Sequence, residues 1–414
     1  MTMRMQKLFV AALLAIAPAA QSQDIAVRGQ TVYPVSGAPI PDGVVVVRDG
    51  KIAAVGPSSR VRIPDGMKTV DAAVVTPGLI DARSVVGLAG YLNQPHDQDQ
   101  LERSEAIQPE LRAIDAYNAR EALIEWLRGF GVTTVHTGHA PGEVISGQTM
   151  ITKTAGDTVA ESVIVPLAMV AATLGEGAVV QEPDGRKSPG NRSKAVAMLR
   201  AEFVKARAYA EKMASKDDDD DENDGAPQRD LRMEALSAVL NGEIPLLVTV
   251  HRHNDIMTAL RLQQEFGFRL VLDGAAESYL VLNEIKEANV AVLVHAAMAR
   301  AFGASENMSF TTPSRLADAG IPFAFQSGFE AYVPKTRVVL FEAAIAIQHG
   351  LSFERALAGL TIEAAKILRI EDRVGSLEVG KDGDLALYDG DPFEYTTHAV
   401  GTVIDGIQVN KQSR

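Results

Sequence analysis

Eight histidines and the absence of cysteine set the chemistry this chain can attempt. Without thiols there is no thiolate zinc site, no thiol nucleophile and no iron–sulfur cluster. Imidazoles and carboxylates remain, which hold divalent metals or move protons. Two imidazoles stand together in Val135-His136-Thr137-Gly138-His139, at the end of a β-rich run. His251 and His253 follow another such run, and Glu176 lies in Leu174-Gly175-Glu176-Gly177. His96, Asp97 and Asp99 cluster in Pro95-His96-Asp97-Gln98-Asp99. If the chain is a catalyst, His136, His139 and His251 are its candidate catalytic residues, and with Glu176 they form a candidate metal set. The competing reading is that these side chains line a pocket or bond the backbone. His295 ends the apolar run Val290–Val294 and is in reach of the same mouth, whereas His349 and His398 read as peripheral.

Other short patterns carry no chemistry. Gly375 to Lys381 has the G-x-x-x-x-G-K spacing of a phosphate loop, but Asp382 follows where Ser or Thr is required. The acidic run Asp217 to Asp224 lacks the closing glutamate of a calcium loop, with Leu231 in its place, and reads as a solvated loop at about 215–229. There is no G-x-S-x-G elbow around Ser327.

The elements that must position these residues alternate. Gly43–Val47 and Lys51–Gly56 flank Asp49-Gly50, a hairpin signal, and the far end repeats it with Thr402–Ile404, Asp405-Gly406 and Ile407–Val409. Two short β-blocks at opposite ends of a chain bury their apolar faces most economically against each other. Between them strands are expected at 74–80, 131–135, 245–250, 268–272, 290–294 and 322–326. Helices are expected at 119–130, 194–213, 255–266, 278–287, 312–319 and 336–349. Such alternation predicts a parallel sheet with crossover helices, whose chemistry gathers at the C-terminal strand ends.

A net charge of −13 argues against nucleic acid as a partner. Arg4 and Lys7 precede an apolar run from Leu8 to Ala20 followed by small residues, the signature of a secretory signal peptide at 1–22. A cysteine-free exported chain suits a bacterial periplasm, and no later stretch is long enough for a membrane span.

Val75-Thr76-Pro77-Gly78-Leu79-Ile80-Asp81-Ala82 resembles the segment by which metal-dependent amidohydrolases pass from a β-sandwich into a barrel. Thr361–Leu368, Asp372–Glu378 and Gly380–Leu385 resemble the return from barrel to sandwich in the imidazolonepropionase-like branch. The resemblance implies an α/β fold: a (β/α)8 TIM-like barrel at 77–371, with a small β-sandwich formed from both termini at 23–76 and 372–414. It also implies hydrolysis of carbon–nitrogen bonds by water polarised on one or two divalent metals.

The same resemblance says where the ligands belong. The H-x-H positions after the first strand carry Arg83 and Val85, and neither side chain ligates. The fifth-strand histidine position carries Thr249, with His251 two residues on. The sixth-strand histidine position carries Gly274, and the eighth-strand aspartate position carries Gly328. Glu176 matches a fourth-strand carboxylate loosely. Arg83, Glu176, Thr249, Gly274, Gly328 and His96 are therefore expected around the pocket, with Arg83 either receiving an acidic ligand or paired with Asp97 or Glu176. The implied reading is an exported family member that has lost the inherited metal centre, expects no cofactor, and acts as a ligand-binding or partner subunit. Its partners are then a small molecule, a second copy or an active amidohydrolase. The alternative is an active amidohydrolase cleaving amide or cyclic amide bonds, with zinc or another divalent metal at a relocated site.

Overall fold

The computed structural model describes residues 24–179, 188–214, 228–329 and 338–411. The expected signal peptide at 1–22 lies outside the described residues, as does the acidic segment up to residue 227. Among the described residues no helix is long and apolar enough to cross a membrane.

The chain opens with four strands, β1 (Ile25–Val32), β2 (Ile40–Arg48), β3 (Lys51–Pro57) and β4 (Lys68–Pro77). β2 and β3 meet at Asp49-Gly50, where φ is +48° and +74°, the left-handed pair a tight hairpin turn demands. Gly78 then lets the backbone pass against the next strand, because a Cβ there would fall 2.1 Å from Thr133 Oγ1.

The barrel strands follow: β5 (Leu79–Ser84), β6 (Val132–Gly138), β7 (Ile145–Lys153), β8 (Val163–Val165), β9 (Val170–Thr173), β10 (Leu246–Val250), β11 (Leu270–Gly274), β12 (Ala291–Val294) and β13 (Phe323–Ala324). Their order is β13-β12-β11-β10-β9-β7-β6-β5, with β8 paired to β7 off this path. Ala82 N donates to Phe325 O at 3.1 Å, drawing the two ends together into a nearly closed barrel of eight strands. β5, β6, β10, β11 and β12 are almost wholly buried; β10, β11 and β12 read as mainly apolar runs rather than as alternation, whereas β5 and β6 bury polar side chains among their apolar ones.

An all-parallel sheet is not what forms. β7 runs antiparallel to both β6 and β9. Only residues 139–144 separate β6 from β7, and a parallel crossover needs about a dozen or more. The chain therefore turns straight back.

Most helices stand where periodicity places them. Arg192–Ala214 buries Ala195, Leu199, Phe203 and Ala206, one stripe facing the barrel, with the Phe203 ring 5.1 Å from Phe266 and 5.4 Å from Phe268. Ala122–Arg128 starts later than expected because the Glu121 carboxylate caps it, accepting from Leu123 N, and it ends at Gly129. His253–Phe266 begins two residues earlier than expected and ends on Gly267 in the left-handed conformation.

β14 (Leu385–Tyr388), β15 (Ala399–Ile404) and β16 (Ile407–Lys411) complete the first body rather than the barrel. Strands from both ends make one seven-stranded sheet, β16-β15-β14-β4-β1-β2-β3, in which β14 pairs antiparallel with β4. Ile25, Val27, Val45, Val75, Leu385, Leu387 and Val403 share its apolar core. A polar joint ties sheet to barrel. Lys153 of β7 is nearly buried and places Nζ 2.7 Å from Asp382, 3.1 Å from Asp384 and 2.5 Å from Asp405.

Candidate functional site

The C-terminal ends of β5, β10 and β11, with the residues just after β12 and β13, surround a cavity of about 430 Å³. This is the end of the barrel where side chains from separate strands converge. Five of the six residues expected there line it: Arg83, Glu176, Thr249, Gly274 and Gly328.

Asp273, one residue before Gly274, is the centre of the floor. Its Oδ2 accepts from Thr249 Oγ1 at 2.5 Å and lies 3.8 Å from Arg83 Nε; its Oδ1 accepts from Gln326 Nε2 at 2.7 Å. Gln326 Nε2 also donates to Leu293 O at 2.9 Å. Arg83 is 3% exposed. Its Nη1 donates to Ser84 O at 3.1 Å and its Nη2 to His139 O. Burial pulls the Arg83 guanidinium below its ordinary pKa, while Asp273 and then Asp81 oppose that shift. The expected partners Asp97 and Glu176 are not the ones Arg83 finds. Asp97 is packed over Gly90, and Glu176 faces Arg252 Nη2 at 3.8 Å.

The other positions where the family resemblance expects ligands carry Thr249, whose hydroxyl is given to Asp273, and Val85, Gly274 and Gly328, which have no side-chain donor atom. Val85 packs with Ala89 and Ala140 in a small apolar cluster. Gly274 has φ +80°, and a Cβ built on it would lie 2.5 Å from His251 Cε1, so the missing side chain makes room for the His251 ring. Gly328 has φ +70°, and its N–H donates to Arg83 O at 3.2 Å. Among the described residues no group of three or more histidine, aspartate or glutamate side chains is placed to hold a metal ion.

His251 lines the cavity, but His136, His139 and His96 do not. His136 is fully buried in the barrel wall, with Nδ1 2.7 Å from Ala82 O and Nε2 2.7 Å from Thr149 Oγ1. A carbonyl only accepts, so Nδ1 carries the proton and Nε2 receives the hydroxyl. Burial, then Arg83, push this imidazole down to about 3, so it stays neutral and serves as a cross-strand tie. His139 rests on Gly147, and burial, then Arg83, push it down to about 4. His96 is exposed on a short 3-10 turn, Pro95–Asp97. His253 does not share a strand with His251, because β10 ends at Val250 and His253 starts a helix. There its Nδ1 meets Glu277 Oε2 at 2.8 Å. His295 lines the cavity, 3.4 Å from Thr312 Oγ1, and is pushed down to about 4 by burial and by His251.

Sequence reasoning passes over Asp273 and Gln326. The signal is present: each is a polar residue ending an apolar strand run, Leu270-Val271-Leu272-Asp273 and Phe323-Ala324-Phe325-Gln326.

Beneath the floor, Asp81 is wholly buried, and its Oδ1 accepts from Ser327 N at 3.0 Å and Arg83 N at 3.2 Å. Burial raises its carboxyl to about 7 against those bonds. A carboxyl raised in the folded state stabilises most below its unfolded value and loses that contribution as pH rises through the folded one. Asp81→Asn keeps the acceptor and removes the charge. The variant is expected to match the parent near pH 4 and to exceed it by about 2 kcal/mol above pH 7. Urea denaturation across pH 4–9 measures the difference; a gap that stays flat with pH contradicts the expectation.

A family model described as the amidohydrolase family matches residues 88–410. An imidazolonepropionase from Rhizobium rhizogenes is 25% identical over 380 residues, spanning 86% of this chain and 89% of its own length. An amidohydrolase from Hapsidospora irregularis is 24% identical over 409 residues, covering 88% of this chain but only 39% of the relative. The solved structure of an amidohydrolase from Thermotoga maritima MSB8 superposes with a TM-score of 0.86 at 29% identity, over 94% of this chain and all of that one.

Proposed function

Since the chain belongs to the amidohydrolase family as an imidazolonepropionase-like member, we propose that its inherited metal centre has been replaced by a buried ion pair and that its cavity now binds rather than hydrolyses. One observation carries this reading: the Arg83 guanidinium stands at a ligand position and faces the Asp273 carboxylate at 3.8 Å. A fixed cation there supplies the positive charge a metal would, but it cannot ligate or activate a water. Thr249, Gly274 and Gly328 at the remaining positions leave neither a coordinating set nor a general base.

Around that core the chain is read as an exported protein. The basic start and apolar run of residues 1–22 support a cleaved leader and a periplasmic home. Residues 77–371 are read as the barrel unit, and the segments before and after it as one small β-sandwich. Gly383 N donates to Gly50 O at 2.7 Å and Gly406 N to Gly383 O at 3.1 Å, contacts that support folding of the seven-stranded sheet back on itself. The protein then acts as a small-molecule binder or as the partner of a second copy or an active relative.

A second reading has its own support. His251 and Glu176 share the cavity, so a relocated hydrolytic site would be built from them, without His136 and His139. Elemental analysis of mature protein, purified without chelator or a metal-binding tag, separates the two. Near-zero zinc, iron, manganese and nickel, unchanged after incubation with zinc, is the expected result. About one tightly held ion per chain overturns the proposal and favours the relocated site.

A further inference from the structure

The cavity is roofed by the segment between β12 and the helix Thr312–Ala319. Ala299, Phe302, Ala304 and Met308 of this segment supply apolar lining to the same cavity that Arg83 and Asp273 line with charge. Its base is fixed: the buried Glu342 carboxylate accepts from Ala297 N and from Met298 N at 3.2 Å. Its far part is held differently, by polar contacts at the rim. Arg252 Nη2 reaches Glu306 Oε1 at 3.1 Å, Gly303 O at 3.4 Å and Glu176 Oε2 at 3.8 Å. Asn307 adds one bond to Glu277 Oε1 at 2.7 Å and receives another on its carbonyl from Tyr279 at 3.0 Å.

We propose that residues 299–308 form a cover over the cavity and that Arg252 is its latch, so that entry of a ligand requires Arg252 to release Glu306 and Gly303. The inference does not depend on whether the cavity holds a metal. Three features carry it. The latch contacts are partly solvated, with Glu306 half exposed, and such pairs are individually weak and readily broken. Gly303, whose carbonyl Arg252 holds, lies in the left-handed region at φ +56°, a backbone turn that glycine adopts without the strain any other residue would bring. Phe302 is 66% exposed although it lines the cavity, an apolar cost that a ligand under the cover would relieve. A cover of this kind selects ligands with a polar end for the floor and an apolar body for the roof.

Hydrogen exchange of the full chain, read by mass spectrometry, tests the latch without knowing the ligand. Arg252→Ala is expected to speed exchange across 299–308 by about fivefold, with Arg252→Lys intermediate and the strands β10 and β11 unchanged. Sodium chloride at about 1 M is expected to move the parent in the same direction, since partly exposed ion pairs are screened. Glu306→Gln, at a half-exposed position, provides a milder release should Arg252→Ala disturb the whole fold. No change across 299–308 in Glu306→Gln, or a rise shared equally with the barrel strands, overturns the proposal.

Discussion

Replacing Asp273 by leucine lowers the stability of the fold by about 3–5 kcal/mol, read as an earlier midpoint in urea. Arg83 is almost fully buried and cannot shed its charge, so it would face an apolar side chain in place of a carboxylate. The Thr249 hydroxyl and one Gln326 bond lose their acceptor in the same step. Leucine is somewhat larger than aspartate, so no cavity opens and the stranded charge is the main part of the effect. The decisive comparison is the pair Arg83→Met with Asp273→Leu. Removing both charges leaves no isolated ion, and the double variant is expected to recover most of the loss. If Asp273→Leu alone stays within about 0.5 kcal/mol of the parent, the guanidinium is not held by Asp273 and the ion pair proposed for the cavity floor falls.

The contrast between the two halves of that pair shows what a sequence can and cannot tell. Arg83 is legible because it directly follows a long motif, Val75 to Ala82, whose continuation specifies a ligand. Asp273 is not legible as its partner, although a lone acid ending an apolar strand is itself a signal. Bringing β5 and β11 together across a barrel depends on strand order and on which face each residue presents, and neither follows from local pattern. Sequence proximity to the mouth suggests Asp97 or Glu176, both of which the fold engages elsewhere. The imidazoles at the end of β6 make the same point. His136 and His139 lie where barrel chemistry gathers, yet His136 is turned between β5 and β7 and bonded on both ring nitrogens. What decides this is β7 running antiparallel beside β6, which brings Thr149 to the ring. The long apolar strands, the amphipathic helices and the sheet shared by both termini are legible because each rests on a local period or turn.

Lys153→Met is expected to cost the fold about 3–5 kcal/mol at pH 8 and visibly less at pH 5. Lys153 Nζ is the cation that three carboxylates from the C-terminal segment share, Asp382, Asp384 and Asp405. Lys51 at 2.5 Å and Arg373 at 2.9 Å also hold Asp382, whereas among the described residues the cation that bonds Asp384 is Lys153. Burial raises the Asp384 carboxyl to about 6, with Lys153 opposing it. Burial would raise Asp382 too, but Lys153, Lys51 and Arg373 hold it below its ordinary range. Without the lysine the Asp384 carboxyl rises further and Asp382 loses one of the cations that hold it down, and a raised folded value means stability present at low pH and lost as pH climbs through it. The penalty therefore grows from pH 5 to pH 8, whereas loss of apolar contact alone would give no such trend. Thermal melts of parent and variant at these two pH values separate the accounts. A pH-independent loss would mean that Lys153 contributes its hydrocarbon stem rather than its charge, and that the joint between sheet and barrel is held by packing.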